Sequence, residues 1–209
     1  MMKLFYSSGA CSSSCHIGME EAGLSYQGIM VDWDNPDANL AELERLNPLG
    51  VAPVLVSDQG KVLTQNTAIL EYIADLKPSS HLLAEKGTWE RVETMSWLSF
   101  AASDFHKSFI PLFRADAMTS SPAAREDIKK FAIQDVKNNL AHLDRNLVGK
   151  DYITGKNFTV ADAYIFVVTG WCKWMDIKID EFKNLGAYMN RVYQRPAVQK
   201  VLKSEGLLD

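Results

Sequence analysis

Apolar and polar positions follow two different rhythms along the 209 residues, and the change falls near residue 80. In the first part the pattern alters every few residues. Lys3-Leu4-Phe5-Tyr6 reads as a short strand stopped by Ser7-Ser8-Gly9. A helix follows, with Ile17, Met19, Ala22 and Leu24 as its apolar positions and Gly23 near its end. Tyr26 to Val31 is a second strand. An Asp-, Asn- and Pro-rich loop over 32–39 leads into a short helix, Leu40 to Leu46. Val54-Leu55-Val56 and Val62-Leu63 flank Asp58-Gln59-Gly60 and predict a hairpin. Ile69, Leu70, Ile73 and Leu76 mark one face of a third helix, which Pro78 ends. The first two strands flank a helix long enough for a parallel crossover, and the hairpin adds antiparallel strands. The expected unit over 1–78 is a mixed four-stranded sheet with helices on its faces.

Residues 79–87 are polar and read as a linker. Over 88–209 only helical spacing is found. Trp89, Val92, Met95, Leu98, Ala102 and Phe105 recur at steps of three and four. Pro122 opens a second long helix, and Gly149 lies where it should stop. Thr159 to Met175 is apolar nearly all round, which predicts a buried central helix. Two short helices, Phe182 to Tyr193 and Ala197 to Lys203, complete an all-helical second domain.

Composition narrows the function. The hydrophobic fraction is 47%, enough for a substantial core, and the net charge of -4 without a basic run argues against nucleic acid. No apolar stretch has the length of a membrane span. Three cysteines, an odd number, do not make a disulfide framework, so a cytoplasmic protein with reduced thiols is expected. No metal site is expected.

The stretch Asn47-Pro48-Leu49-Gly50-Val51-Ala52-Pro53-Val54-Leu55 feeds a proline into a strand that needs donors. Either a trans Pro53 simply opens the strand, or a cis Ala52-Pro53 bond turns the Ala52 backbone outward as an edge for a ligand. Cys11 stands between a strand end and a helix start, where N–H groups and the helix dipole favour a thiolate. A nucleophile or exchanging thiol fits there, as does a small core filler. Cys15, four residues on, reads as packed and inert, and Cys172 as core. Gln65-Asn66 precedes a helix, where side-chain amides and free N–H groups suit a carboxylate, although capping by Asn66 alone would explain it. Ser99, Ser103 and His106, with Lys107 beside them, share a helical spacing among Trp97, Phe100 and Phe109, and would form one wall of a cleft. Thr159-Val160-Ala161-Asp162 is a capping box with a structural role.

Taken in order, these segments resemble a cytosolic glutathione S-transferase, and most closely the bacterial beta class. The carrying residues are Lys3-Leu4-Phe5-Tyr6 with Gly9-Ala10-Cys11-Ser12, the Val51-Ala52-Pro53 turn, Gln65-Asn66, Asp75-Leu76-Lys77-Pro78, the run from Trp97 to Lys107, Phe158 to Tyr164, and Gln194-Arg195-Pro196. The resemblance implies a thioredoxin-like domain that binds glutathione as co-substrate, with no permanently bound cofactor. It also implies a helical domain and a partner subunit of a homodimer that complete the site. Cys11 would contact the glutathione sulfur or form a mixed disulfide with it. Ala52, held by Pro53, would pair with the cysteinyl part, and Gln65 and Asn66 would hold the γ-glutamyl head. Ser99, Ser103, His106 and Lys107 would face the site, with Ser12 and Tyr6 as alternative activators of the sulfur. Phe109, Phe113 and Trp171 would line the cleft for a hydrophobic electrophile.

Two departures accompany the resemblance. Ser99 stands where relatives often carry Asn, and the loop Asp32-Trp33-Asp34-Asn35-Pro36 lacks the lysine expected to meet the glycine carboxylate. The expected activity is attack of the glutathione thiolate on an electrophile. Thiol-disulfide exchange through Cys11, which would leave a resolving role for Cys15 open, and a non-catalytic binding role are the alternatives.

Overall fold

The computed structural model describes residues 1–208; Asp209, the last residue of the expected helical domain, lies outside them. The chain opens with β1 (Met2–Tyr6), α1 (Ser12–Glu21), β2 (Tyr26–Met30) and α2 (Ala38–Leu46). It continues with β3 (Val54–Val56), β4 (Val62–Thr64) and α3 (Asn66–Leu76). The four strands form one sheet in the order β2-β1-β3-β4. β1 runs parallel to β2 and antiparallel to β3, with Phe5 opposite Val54. Period-two alternation sends neighbouring side chains of β1 to opposite faces. Leu4 joins the core shared with α1, α3 and the helical domain, whereas Phe5 joins a smaller cluster with Ile29, Leu40 and Leu43 beneath α2. This is a thioredoxin-like domain.

The first helix stops at Glu21, short of Leu24, because Gly23 takes a left-handed φ of 63°. Asp37 caps α2 through its carboxylate, accepting from the N–H groups of Asn39 and Leu40, so the helix begins inside the expected loop. A 3₁₀ turn at Pro78–Ser80 leaves the domain.

The helical part comprises α4 (Trp89–Phe100), α5 (His106–Met118), α6 (Pro122–Asn146), α7 (Val160–Trp174), α8 (Lys183–Tyr193) and α9 (Pro196–Ser204). The regular helix expected through Phe105 is interrupted, since residues Ala101–Phe105 form a π-helical turn between α4 and α5. Such turns widen the helix and shift the register of everything beyond them. The central helix α7 is buried along nearly its whole length. Among the described residues, no helix is long and apolar enough to cross a membrane.

Two links fix the halves to each other. Arg91 of α4 is bonded to Asp75 at 2.9 Å and Glu71 at 2.7 Å on α3. Glu205, just after α9, reaches the turn between β1 and α1. Its carboxylate accepts from the Gly9 N–H at 2.9 Å and the Ser13 hydroxyl at 2.6 Å, and pairs with His16 Nδ1 at 2.8 Å. Its carbonyl accepts from Ser8 at 2.6 Å.

Candidate functional site

A cleft of about 800 Å³ opens where the α1 N-terminus, the turn before β3 and the α3 N-terminus face α5 and α7. Asn47 builds the turn: its amide donates to the Val51 carbonyl at 2.8 Å and its Oδ1 accepts from the Leu49 N–H. Gly50 closes it with a φ of 62°. Trp33 packs against it, its indole N–H donating to the Gly50 carbonyl at 3.1 Å. The Ala52-Pro53 bond is cis, and both residues line the cleft.

Cys11 lies on the cleft wall at the N-cap of α1, its Sγ 3.9 Å from the Ala52 carbonyl. Its acidity corrects the expectation from sequence. Burial pushes the thiol up to about 11, although the N–H groups of Ser12 and of Cys11 itself act in the opposite direction. Desolvation of the anion outweighs the helix N-terminus, and the Cys11 thiol is neutral at pH 7.

Gln65 lines the cleft with a φ of 73° and leads into the free N–H groups of the first turn of α3. Asn66 also borders it, but its side-chain amide is turned inward. Nδ2 donates to Ser14 Oγ at 2.8 Å, and Oδ1 accepts from Cys15 Sγ at 3.1 Å. The amide expected to hold a ligand is thus committed to bonds within the protein. Cys15 is fully buried with its thiol pushed well above the usual range by burial, which leaves it inert. Burial likewise pushes Cys172 up to about 12.

Several expected site residues lie elsewhere. Ser12 is fully buried, its Oγ accepting from the Ser7 N–H at 3.0 Å and donating to the Ser7 carbonyl, so it secures the turn and cannot activate a ligand sulfur. Tyr6 stacks on His16 at 4.6 Å and borders a separate groove with Tyr26 and Lys200. Ser99 and Ser103 are exposed, and Ser103 donates to the Ser99 carbonyl at 2.8 Å and contacts Asp104. The π turn is the reason. Its extra width leaves Ala102, His106 and Ile110 on the cleft and carries Ser103 to a neighbouring groove, which Lys107 also borders. Phe109 is fully buried beneath the wall, and Phe113 packs on Trp171 outside it. The apolar side of the cleft is formed instead by Ala102, Ile110, Pro111 and Met118.

His106 faces Tyr164 of α7, with Nδ1 and the tyrosine oxygen 2.8 Å apart. The imidazole rests edge-on against Trp171 at 4.7 Å, and the Trp171 N–H donates to the Gly9 carbonyl at 2.9 Å. Burial, reinforced by Lys107, lowers His106 to about 4, so it is neutral at pH 7. Burial raises the Tyr164 phenol, with Cys11 nearby adding to the effect, so the hydroxyl keeps its proton. Tyr164 was not reached from sequence chemistry. The signal available was a hydroxyl in an otherwise apolar helix, which must find a partner when buried. Trp33, Thr67 and Met118 also line the cleft without having been singled out.

A free thiol beside a helix N-terminus, a turn before β3 and a helical wall define a two-domain protein with a ligand-sized cleft between a thioredoxin-like and an all-helical domain. Comparison with known proteins agrees. Residues 2–75 match the family model "Glutathione S-transferase, N-terminal domain", and residues 103–205 match "Glutathione S-transferase, C-terminal domain". The chain is 36% identical to glutathione S-transferase GstA of Escherichia coli O157:H7, covering 99% of this chain and 100% of that protein. Its fold is similar to a sphingomonad glutathione S-transferase solved with glutathione, at 41% identity and a TM-score of 0.86, covering 99% and 100% of the two chains. It is equally similar to the beta-class enzyme of Sphingomonas chungbukensis, at 42% identity and a TM-score of 0.87, with the same coverage. The chain belongs to the glutathione S-transferase family.

Proposed function

We propose that this glutathione S-transferase binds glutathione along the cleft and directs its thiolate at hydrophobic electrophiles. Residues 1–78 would hold the tripeptide and residues 88–209 would supply the electrophile side, joined by 79–87. The observation that carries the reading is the meeting of the Cys11 thiol, the Ala52 turn and the α3 N-terminus with an apolar wall in one cleft. Ala52 and Pro53 offer the cysteinyl portion a backbone edge. Gln65 and the N–H groups at Asn66 suit the γ-glutamyl carboxylate. Among the described cleft residues Lys107 carries the one charge at pH 7, and it stands in for the lysine that the Asp32 to Pro36 loop lacks.

Glutathione's thiol is mostly protonated at neutral pH, so the site must favour the anion. Cys11 would do so as a neutral S–H donor, with His106 across the cleft. The sulfur lone pair forms the new S–C bond, and the leaving group departs with its bonding pair. The test is conjugation of glutathione with an activated aryl halide by the purified protein. Saturable turnover supports the reading, and glutathione binding without turnover of any halide tried refutes it.

The half-buried, unpaired Cys11 on the cleft wall favours a second reading. Its thiolate would attack oxidised glutathione, breaking the S–S bond, forming the mixed disulfide and releasing one glutathione thiolate. Its raised pKa leaves little thiolate and makes this slow at neutral pH. Intact mass after incubation with oxidised glutathione reads it directly.

A cytoplasmic homodimer is part of the proposal. Tyr72 and Leu76 of α3 and Trp89 and Val92 of α4 are exposed apolar side chains on two helices that Arg91 ties together. A second copy would cover them.

A further inference from the structure

We infer that the hydroxyl of Tyr164, oriented by His106, is the donor from the helical domain that bonds the glutathione sulfur. The inference deepens the reading above and rests on it. Tyr164 is 2% exposed yet borders the cleft together with Cys11, Ala52 and His106. Its one hydrogen-bond partner among the described residues is His106 Nδ1 at 2.8 Å.

The chemistry of that pair decides what the hydroxyl does. A phenol has one proton to give and an oxygen that accepts. A charged imidazole would donate from both nitrogens, but His106 is neutral at pH 7. In the neutral tautomer with the proton on Nδ1, the ring donates to the Tyr164 oxygen and leaves the phenol proton free for the cleft. An arriving sulfur anion selects this tautomer, because it needs a donor. The Tyr164 proton is not lost, since burial holds the phenol above its ordinary range. The proton of the glutathione thiol passes to solvent, and the S⁻ that remains accepts from Tyr164 on one side and from the neutral Cys11 thiol on the other. Hydrogen bonds to the charged form lower its pKa. His106 is thus a positioning residue for Tyr164.

The experiment compares the wild type with Tyr164→Phe, following the ultraviolet band of bound glutathione thiolate against pH, with affinity measured by calorimetry. Removal of the donor should raise the bound thiol's pKa by about one unit and lower kcat/KM at neutral pH about tenfold. Affinity at acidic pH, where the thiol is protonated, should stay within about threefold. The kinetic difference should vanish at high pH. Should Tyr164→Phe fold poorly, difluorotyrosine at position 164 keeps the shape and strengthens the donor. It should then lower the bound thiol's pKa. His106→Phe should move the thiol titration in the same direction as Tyr164→Phe. Superimposable titrations of wild type and Tyr164→Phe, with binding intact, overturn the inference and leave the proposed function standing. A wild type that binds glutathione without ionising it overturns both.

Discussion

Asp162 and Tyr164 stand two residues apart on α7 and illustrate opposite uses of a buried polar group. Asp162 is fully satisfied. Oδ1 accepts from the Ile153 N–H at 2.8 Å, Oδ2 accepts from both the N–H and the hydroxyl of Thr159 at 2.8 Å, and its carbonyl accepts from Tyr188. Tyr164 has one hydrogen-bond partner among the described residues, His106, and the residue borders the cleft. The first arrangement has no bonding capacity left for a ligand and holds the fold. The second keeps a donor in reserve, which chemistry requires. The same contrast recurs on α1, where the hydroxyls of Ser12, Ser13 and Ser14 are all bonded within the protein while the Cys11 sulfur makes only a contact at 3.9 Å.

Substitutions can break this contrast, and the largest effect should come from Asp162→Ala. It orphans the buried Ile153 and Thr159 donors, with an expected loss of about 3 to 5 kcal/mol in urea unfolding. Activity per folded molecule should persist. A loss below about 1 kcal/mol would show that water replaces the carboxylate.

The two regions also titrate in opposite senses. Burial raises the Asp162 carboxyl to about 6, above the ordinary carboxylate value, so between about pH 4 and 6 the native state binds more protons and stability falls as pH rises. His106 is lowered to about 4, so between about pH 4 and 6.5 the unfolded state binds more protons and stability rises with pH. Each effect is on the order of 3 kcal/mol, and they oppose each other across one window. Across that window His106→Gln should therefore gain less stability with rising pH than the wild type, by up to the His106 contribution. An unchanged profile in His106→Gln would remove His106 from the balance.

Glu205→Gln sharpens the comparison from a third position. The amide oxygen keeps one acceptor but mismatches the cluster of Gly9, Ser13 and His16, at a cost of about 2 kcal/mol. Alkylation of Cys11 by iodoacetamide should accelerate as its turn loosens. The smallest change in stability is expected for Tyr164→Phe, within about 1 kcal/mol of wild type by thermal melting, because one shared hydrogen bond is lost and the aromatic packing stays. A loss as large as that of Asp162→Ala would place Tyr164 among the structural groups.

Much of this was legible in the sequence because the signals are local. Alternation in β1, the glycine after α1, the Thr159 to Asp162 box and the proline before β3 each act within a few residues of where they are read. Cys11, Ala52 and His106, read from signals of the same kind, line the cleft. What escaped depends on distant partners. Nothing in the run from Trp97 to Lys107 announces a π turn, so regular spacing grouped Ser99 and Ser103 with His106. The acidity of Cys11 was misjudged because burial by other parts of the chain decides it, while the helix N-terminus was the part visible locally. Ser12 could not be told from a site hydroxyl until Ser7 was seen folded back upon it.

The Glu205 contact has a consequence for how the protein is made. Its bond to Gly9 spans 196 positions of sequence, so synthesis from the N-terminus produces the turn that carries Cys11 long before the carboxylate that fastens it. A nascent chain can complete the sheet, the Ser12 bonds and the Trp171 contact of the turn before the Glu205 carboxylate exists. The last fastening of the thiol turn would then be a late event in biogenesis.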